Sequence, residues 1–339
     1  MGASSRVRFL DYEQALCAQG VQLAFEPLFG DDYVRALYAK GSRSAHAFKA
    51  LVHRLRILRK AKAYDAIWVE KEMLPWLPSF VELSLLPVGV PLVVDYDDAV
   101  FHRYDLHSSA LVRSVLGSKI DRIMARADLV VAGNGYLADH ARMAGAPRVE
   151  IVPTVVDTER YSPVQQVLSD CVTIGWIGSP ITAPYLDIVK PVIASLARAG
   201  GIRAVAIGAR PDQVAGSVFE AVPWSEESEV SQLRKFDIGI MPLWDTPWER
   251  GKCGYKLIQY MALGLPVVAS PVGVNCDLIV NGKGGYLASN DAQWAVALDA
   301  LINSPVKRVR MGTAGRTQVN DQYSLHVWAT RLANLLKSL

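Results

Sequence analysis

Short apolar runs rich in β-branched residues alternate along the chain with longer segments whose apolar positions recur at helical spacing. The runs Ala66–Glu70, Pro91–Asp95, Asp128–Ala132, Val149–Val152, Val172–Ile177, Ile202–Ile207, Asp237–Met241 and Pro266–Ala269 predict strands. Between them, Ser44–Lys62, Ser109–Arg126, Tyr136–Ala144, Pro184–Ala199, Gly254–Leu263 and Asp291–Asn303 predict helices. Strands that are apolar throughout and separated by helices form parallel sheets covered on both faces. The fold class is therefore α/β, with doubly wound parallel sheets.

The polar stretch Asp157–Asp170 predicts the joint between two such domains, after which a new strand–turn–helix series begins at Val172. The boundaries expected are 1–160 for the first domain and 161–323 for the second, with a last helix within 324–339 returning to the first. Two Rossmann-like halves of this kind are expected to face a cleft, since open α/β sheets bind ligands at the carboxyl ends of their strands. The chain opens on GASSR and passes into the helical pattern Val7–Gln19. The first strand and glycine-rich turn of the N-terminal domain are thus expected to be missing here or to lie upstream.

A length of 339 residues suits two domains, and 51% hydrophobic with 20% charged residues describes a chain able to bury real cores. A formal charge of +3 is too small for a dedicated nucleic-acid binder. The cysteines at 17, 171, 253 and 276 are scattered without a C-x-x-C pair, which points to a reducing compartment rather than to disulfides or zinc. No signal peptide is visible, and the most apolar segment, Leu83–Val94, is interrupted by proline and falls short of the ~20 residues that span a bilayer. A cytoplasmic protein is expected. Within 44–62, Lys49, Arg54, Arg56, Arg59, Lys60 and Lys62 oppose an apolar face of Phe48, Leu51, Val52, Leu55 and Leu58. That face either packs on the domain or lies on anionic lipid at the inner face of the membrane.

The most informative segment is Trp244–Leu287. A loop holding Trp244, Trp248, Gly251 and Gly254 feeds a helix that starts near Gly254 and stops at Gly264. Free N–H groups and the positive end of that helix suit a diphosphate, with Lys252 and Lys256 expected to flank it. A second cluster, DYDDAVFHRYD from Asp95 to Asp105, follows a strand, so its carboxylates point to the ligand side of the sheet. Asp97 or Asp98 is expected to orient an acceptor hydroxyl or take its proton, with His102 on the acceptor side. Asp98 as a simple turn or helix cap is the competing reading. Gly133-x-Gly135-x-x-Ala138 mimics a dinucleotide fingerprint and keeps a nicotinamide oxidoreductase in play, although Pro153 and Thr154 stand where its acidic residue belongs.

Gly254, Met261, Ala262, Gly264, Pro266, Val267, Val268 and Ala269 resemble the donor-binding region of glycosyltransferase family 4, whose pattern runs E-G-F-G, a helix ending E-A-M-A, then G-x-P-V-V-A. DLVVAGNGYLADHA, VEIVPTVVDTERYSP and VTIGWIGSP extend the resemblance over most of the chain. It implies a GT-B fold and transfer from a nucleotide sugar, with retention, to a saccharide or lipid-linked acceptor in cell-surface polysaccharide or glycolipid assembly. It places the donor on Gly178, Ser179, Trp224, Lys252, Cys253, Gly254, Tyr255 and Gln259, with Trp224 near the base and Gln259 at the ribose. Lys256 joins Asp97 and Asp98 as a catalytic candidate. Two departures are visible: the family's paired glutamates fall on Gly251 and Gln259, and its basic pair is replaced by Gly178, Ser179, Pro180 and Thr182. A non-catalytic binding subunit of the same fold is therefore the alternative. Asp95-x-Asp97 also looks like the metal-binding D-x-D of the other large glycosyltransferase fold. That fold would leave Trp244–Leu287 unexplained, so no metal or further cofactor is expected.

Overall fold

The computed structural model describes residues 3–28, 44–163 and 171–339; the later part of the expected joint, 164–170, lies outside them. The chain divides into two compact units. The first spans 1–154, 251–253 and 328–339, and the second 155–250 and 254–327.

In the first unit β1 (Ile67–Glu70), β2 (Leu92–Tyr96), β3 (Leu129–Ala132) and β4 (Val149–Ile151) form a parallel sheet in that order. Alternation along the strands sends side chains to both faces. Leu92, Val94, Tyr96, Val130 and Ala132 pack with Ile120, Ile123, Met124 and Leu137. Val93, Leu129 and Val131 point the other way. A sequential strand order carries every right-handed crossover over one face, so the opposite face must be covered from elsewhere in the chain. Trp328, Leu335 and Leu336 of the helix Leu325–Lys337 do this. Phe9 adds to the cover, its ring 4.5 Å from that of Trp68.

The predicted helix Ser109–Arg126 is two, Ala110–Leu116 and Lys119–Arg126, parted at Gly117 and Ser118, which are weak helix formers. In Ser44–Lys60, Leu58 is buried and Leu51 packs against the same core, whereas Arg56, Arg59 and Lys60 are exposed. No helix among the described residues is long and apolar enough to cross a membrane.

The second unit holds β5 (Val172–Ile177), β6 (Ile202–Ile207), β7 (Phe219–Val222), β8 (Ile238–Met241), β9 (Val267–Ala269) and β10 (Gly285–Leu287), all parallel. The order β10-β9-β8-β5-β6-β7 is that of a dinucleotide-binding sheet, reversing direction between β5 and β8. β7 and β10 escaped the pattern of apolar runs. The first is a four-residue edge strand carrying Glu220, and the second has three residues behind Gly284. The predicted helix Pro184–Ala199 is a 3-10 turn, Ala183–Ile188, followed by Lys190–Ala197, because Pro191 supplies no N–H to continue the first.

Candidate active site

Charge gathers in the first unit at the carboxyl ends of β1 and β2, whose register sets Glu70 beside Asp95. Asp95 is buried and gripped by Arg8, Nε to Oδ1 at 2.8 Å and Nη2 to Oδ2 at 3.0 Å, while Arg8 Nη1 donates to the Val152 carbonyl at 2.8 Å. Burial pushes the Asp95 carboxyl up to about 6 against the pull of Arg8. With both oxygens held by one guanidinium, Asp95 does not stand ready with Asp97 to chelate a cation. The D-x-D reading therefore loses its geometry.

Asp97 belongs to Lys71. Lys71 Nζ lies 2.9 Å from Asp97 Oδ1, 3.7 Å from Glu70 Oε1 and 3.9 Å from Asp98 Oδ2, and donates to Ser4 Oγ at 3.0 Å. The Lys71 backbone is left-handed, with φ of +63°. That conformation costs a non-glycine residue roughly 1–2 kcal/mol. It turns the chain sharply at the end of β1, where the Lys71 N–H still donates to the Asp95 carbonyl at 2.9 Å. Burial works against the Asp97 carboxylate, but Lys71 and Ser4 outweigh it and hold the group below its usual range. Asp98 goes the other way, raised by burial and by Asp97 against Lys252 and Lys71. Lys252 Nζ approaches Asp98 Oδ1 to 3.6 Å. The Asp98 carbonyl, rather than its carboxylate, accepts the turn bond from Val100 N at 2.8 Å.

Behind Lys71 the loop is anchored by a buried ion cluster. Lys119 Nζ lies 2.5 Å from Glu72 Oε2 and 3.4 Å from Glu82 Oε2, and donates to the Leu74 carbonyl at 2.6 Å. Glu82 accepts from the N–H groups of Met73 at 2.8 Å and Leu74 at 3.2 Å. Arg8, Lys71 and Lys119 were not among the residues singled out from sequence. The signal available for Lys71 was the charged run Glu70-Lys71-Glu72 directly after an apolar strand. His102 is engaged elsewhere: Nδ1 meets Asp105 at 2.9 Å and Nε2 meets Tyr136 Oη at 2.8 Å.

Residues 251–253 are part of this first unit. Asn134, which caps the helix Gly135–Met143, donates from Nδ2 to the carbonyls of Gly251 at 3.0 Å and Lys252 at 3.1 Å. The Cys253 thiol donates to the Asp97 carbonyl at 3.1 Å and is buried, which pushes its pKa well up. A Cβ at Gly133 would stand 2.3 Å from that sulfur, and one at Gly251 would stand 2.5 Å from the Ala99 Cβ. The fingerprint-like Gly133 thus makes room for residues 251–253 instead of a pyrophosphate. Position 251 cannot hold the glutamate that the resemblance expects. Glu249, two residues earlier in the chain, is buried and hydrogen-bonded by the hydroxyls of Tyr185 and Thr246.

In the second unit, two of the expected donor residues meet on a carboxylate absent from the sequence-based set, and a third joins them through Tyr161. Trp224, half-exposed just after β7, donates from Nε1 to Glu229 Oε2 at 2.7 Å. Glu229 Oε1 accepts from Tyr161 Oη and from Gln259 Nε2, the latter at 3.2 Å. Gln259 Nε2 also reaches Tyr161 Oη at 2.9 Å, and the hydroxyls of Tyr161 and Tyr255 lie 3.4 Å apart. Burial and Glu229 push the Tyr161 phenol up to about 12, so it stays a donor at neutral pH. Where the family carries a glutamate, this chain sets the Gln259 amide against the Glu229 carboxylate.

The helix Tyr255–Ala262 opens at Gly254, whose φ is +67°, with no side chain capping it. It is tied to the end of β5 by the Ile177 N–H, which donates to Tyr260 Oη at 2.9 Å. Lys256 Nζ stands 4.6 Å from the ring centroid of Trp176. Of the two lysines expected at the diphosphate, Lys252 lies against Asp98 in the first unit and Lys256 over Trp176 in the second. Gly178 follows β5 and donates to the Ile207 carbonyl at 3.0 Å. Ser179 N–H is taken by Thr182 Oγ1 at 3.0 Å.

Two parallel-sheet α/β units, the second with dinucleotide-binding strand order, constitute the GT-B glycosyltransferase fold. The chain is similar to the sucrose-phosphate synthase of Thermosynechococcus elongatus, with a TM-score of 0.72 and 16% identity over 100% of this chain and 93% of that one. It is also similar to HepE of Anabaena, solved with UDP and glucose, with a TM-score of 0.68 and 16% identity over 85% and 81% of the two chains. Residues 173–304 match the family model described as Glycosyl transferases group 1. Among curated proteins, it is 33% identical over 87 residues to an alpha-1,3/1,6-mannosyltransferase of Dictyostelium discoideum, covering 25% of this chain and 21% of that protein. It is 25% identical over 221 residues, 57% of each chain, to a GDP-mannose-dependent phosphatidylinositol monomannoside mannosyltransferase of Corynebacterium glutamicum. The chain thus spans less than two thirds of the length of these curated relatives.

Proposed function

We propose that this chain transfers a glycosyl group from a nucleoside-diphosphate sugar to an acceptor hydroxyl, in the assembly of a cell-surface polysaccharide or glycolipid. The observation that carries this reading is the group 1 match over 173–304, the stretch containing Trp224, Glu229, Tyr255 and Gln259. The half-exposed Trp224 indole offers a face for the base. Gln259 and Glu229 offer an amide and a carboxylate for ribose hydroxyls. The helix that opens at Gly254, with Lys256 in its first turn, suits the diphosphate. As the bond from the anomeric carbon to the diphosphate oxygen breaks, negative charge grows on the leaving group. Positive ends aimed there lower the barrier.

The test is a panel of UDP- and GDP-sugars with saccharide and lipid-linked acceptors, read as released nucleotide and as the anomeric signal of the product. Retention and indifference to EDTA are expected. Exchange of both Asp97 and Asp98 for Asn is expected to cost at least about tenfold in turnover. No binding and no transfer across the panel would end the reading. Nucleotide binding without transfer would favour a non-catalytic subunit, a reading supported by the lack of room for a side chain at Gly251. Peripheral membrane contact through 44–62 would use the exposed Arg56, Arg59 and Lys60. Sedimentation with anionic liposomes tests it.

A further inference from the structure

We infer that Lys71 is a positioning residue of the acceptor site, taking Asp97 as its counter-ion so that Asp98 is the carboxylate that meets the acceptor hydroxyl. The inference rests on the transfer reaction proposed above. Four carboxylates, Glu70, Asp95, Asp97 and Asp98, share three cations, Arg8, Lys71 and Lys252. Arg8 is committed to Asp95 and to the Val152 carbonyl. Lys71 lies in hydrogen-bond contact with Asp97 at 2.9 Å but only within 3.9 Å of Asp98. The Asp98 side chain is 30% exposed against 12% for Asp97. Lys71 stands on a left-handed turn, and its ammonium lies beside Asp97 just past the end of β2.

In the step itself the acceptor O–H bond breaks and its proton passes to an Asp98 oxygen. The acceptor oxygen bonds to the anomeric carbon on the same face from which the diphosphate departs, which keeps the configuration, and the electron pair of the broken bond leaves with the diphosphate. The charged and titratable groups that act on Asp98 are Asp97 on its own loop, Lys71 after β1, and Lys252 and Cys253; Glu70 acts on Lys71, and Arg8 acts on Asp97. Removing Lys71 takes one cation from this set, so Asp97 and Asp98 would keep their protons to higher pH.

The experiment compares Lys71→Met, Lys71→Arg and Lys71→Met/Asp97→Asn in the full chain. UDP and GDP titrations serve as the control for the second unit. Lys71→Met is expected to lower kcat at least about tenfold, with donor KM within about twofold, and to move the acid limb of the kcat/KM profile up by about one pH unit. Lys71→Arg should restore most of the rate, and Asp97→Asn in the Met background should move the limb back down. An unmoved acid limb, or a rate loss equal to the unfolded fraction, overturns the inference. If the wild-type chain transfers nothing, the proposed reaction fails, and titration of isotope-labelled aspartate carboxyls still decides. Two resonances titrating higher in Lys71→Met support the arrangement, and unmoved resonances sink it.

Discussion

Exchange of Lys119 for Met removes the ammonium that bridges Glu72 and Glu82 while keeping nearly the same side-chain length. At separations of 2.5 and 3.4 Å, and an effective dielectric of about 20, each attraction is about 5–7 kcal/mol gross. Most of that is offset by the desolvation of three buried charges, so the pair in place adds little net stability. Breaking it is a different matter, because two carboxylates are then left buried without their ammonium. The usual cost is about 3–5 kcal/mol. Here the lower half of that range is expected. Glu82 keeps the N–H groups of Met73 and Leu74, and Glu72 keeps Tyr104 Oη at 2.8 Å and Arg103 Nη1 at 3.1 Å. Urea unfolding followed by circular dichroism and tryptophan fluorescence reads the loss, with the two units allowed separate transitions. Glu72→Gln added to Lys119→Met should recover about 1–2 kcal/mol, since it removes a stranded charge. Should Lys119→Met unfold within about 1 kcal/mol of wild type, the cluster is not the anchor of the 71–77 loop.

Asp95 binds its proton more tightly folded, at about 6, than unfolded, at about 4, so its contribution to stability falls as pH rises through that window and is level above it. The difference in unfolding free energy between wild type and Asp95→Asn should therefore decline between about pH 4.5 and 7; a rising difference contradicts the sign. Gly133→Ala drives a methyl into the Cys253 sulfur and should cost about 1–3 kcal/mol, with Cys253→Ala relieving most of it in the double variant. Calorimetric melts of the four proteins decide whether the two positions are coupled. Glu229→Ala frees the Trp224 indole and the Gln259 amide, and should weaken UDP or GDP binding at least about tenfold in titrations. Wild-type affinity in that variant would remove the cluster from the nucleotide site.

The central strands of both sheets were legible because they are continuous apolar runs, and β2, β3, β5 and β8 show the clearest of these. β7 and β10 were not, since three or four residues at or near an edge carry no period. Trp224, Tyr255 and Gln259 could be named by resemblance. Glu229 and Tyr161, which bring them together, lie 30 and 98 residues from Gln259, and no local pattern encodes such a contact. Lys71 was hidden for a related reason, because its role depends on a left-handed backbone at one residue. The glycines at 133 and 135 invited a phosphate-binding reading that fails on packing. The space at 133 is taken by Cys253, whose position more than a hundred residues later could not be read from the motif.

The cover over Val93, Leu129 and Val131 has a consequence for synthesis. The strands of the first sheet are complete by Ile151, yet the side chains that shield one of its faces, Trp328, Leu335 and Leu336, are made much later in the chain. Through about 180 further codons that oily surface has no partner from this helix, a window in which a chaperone, or aggregation, competes for the nascent chain.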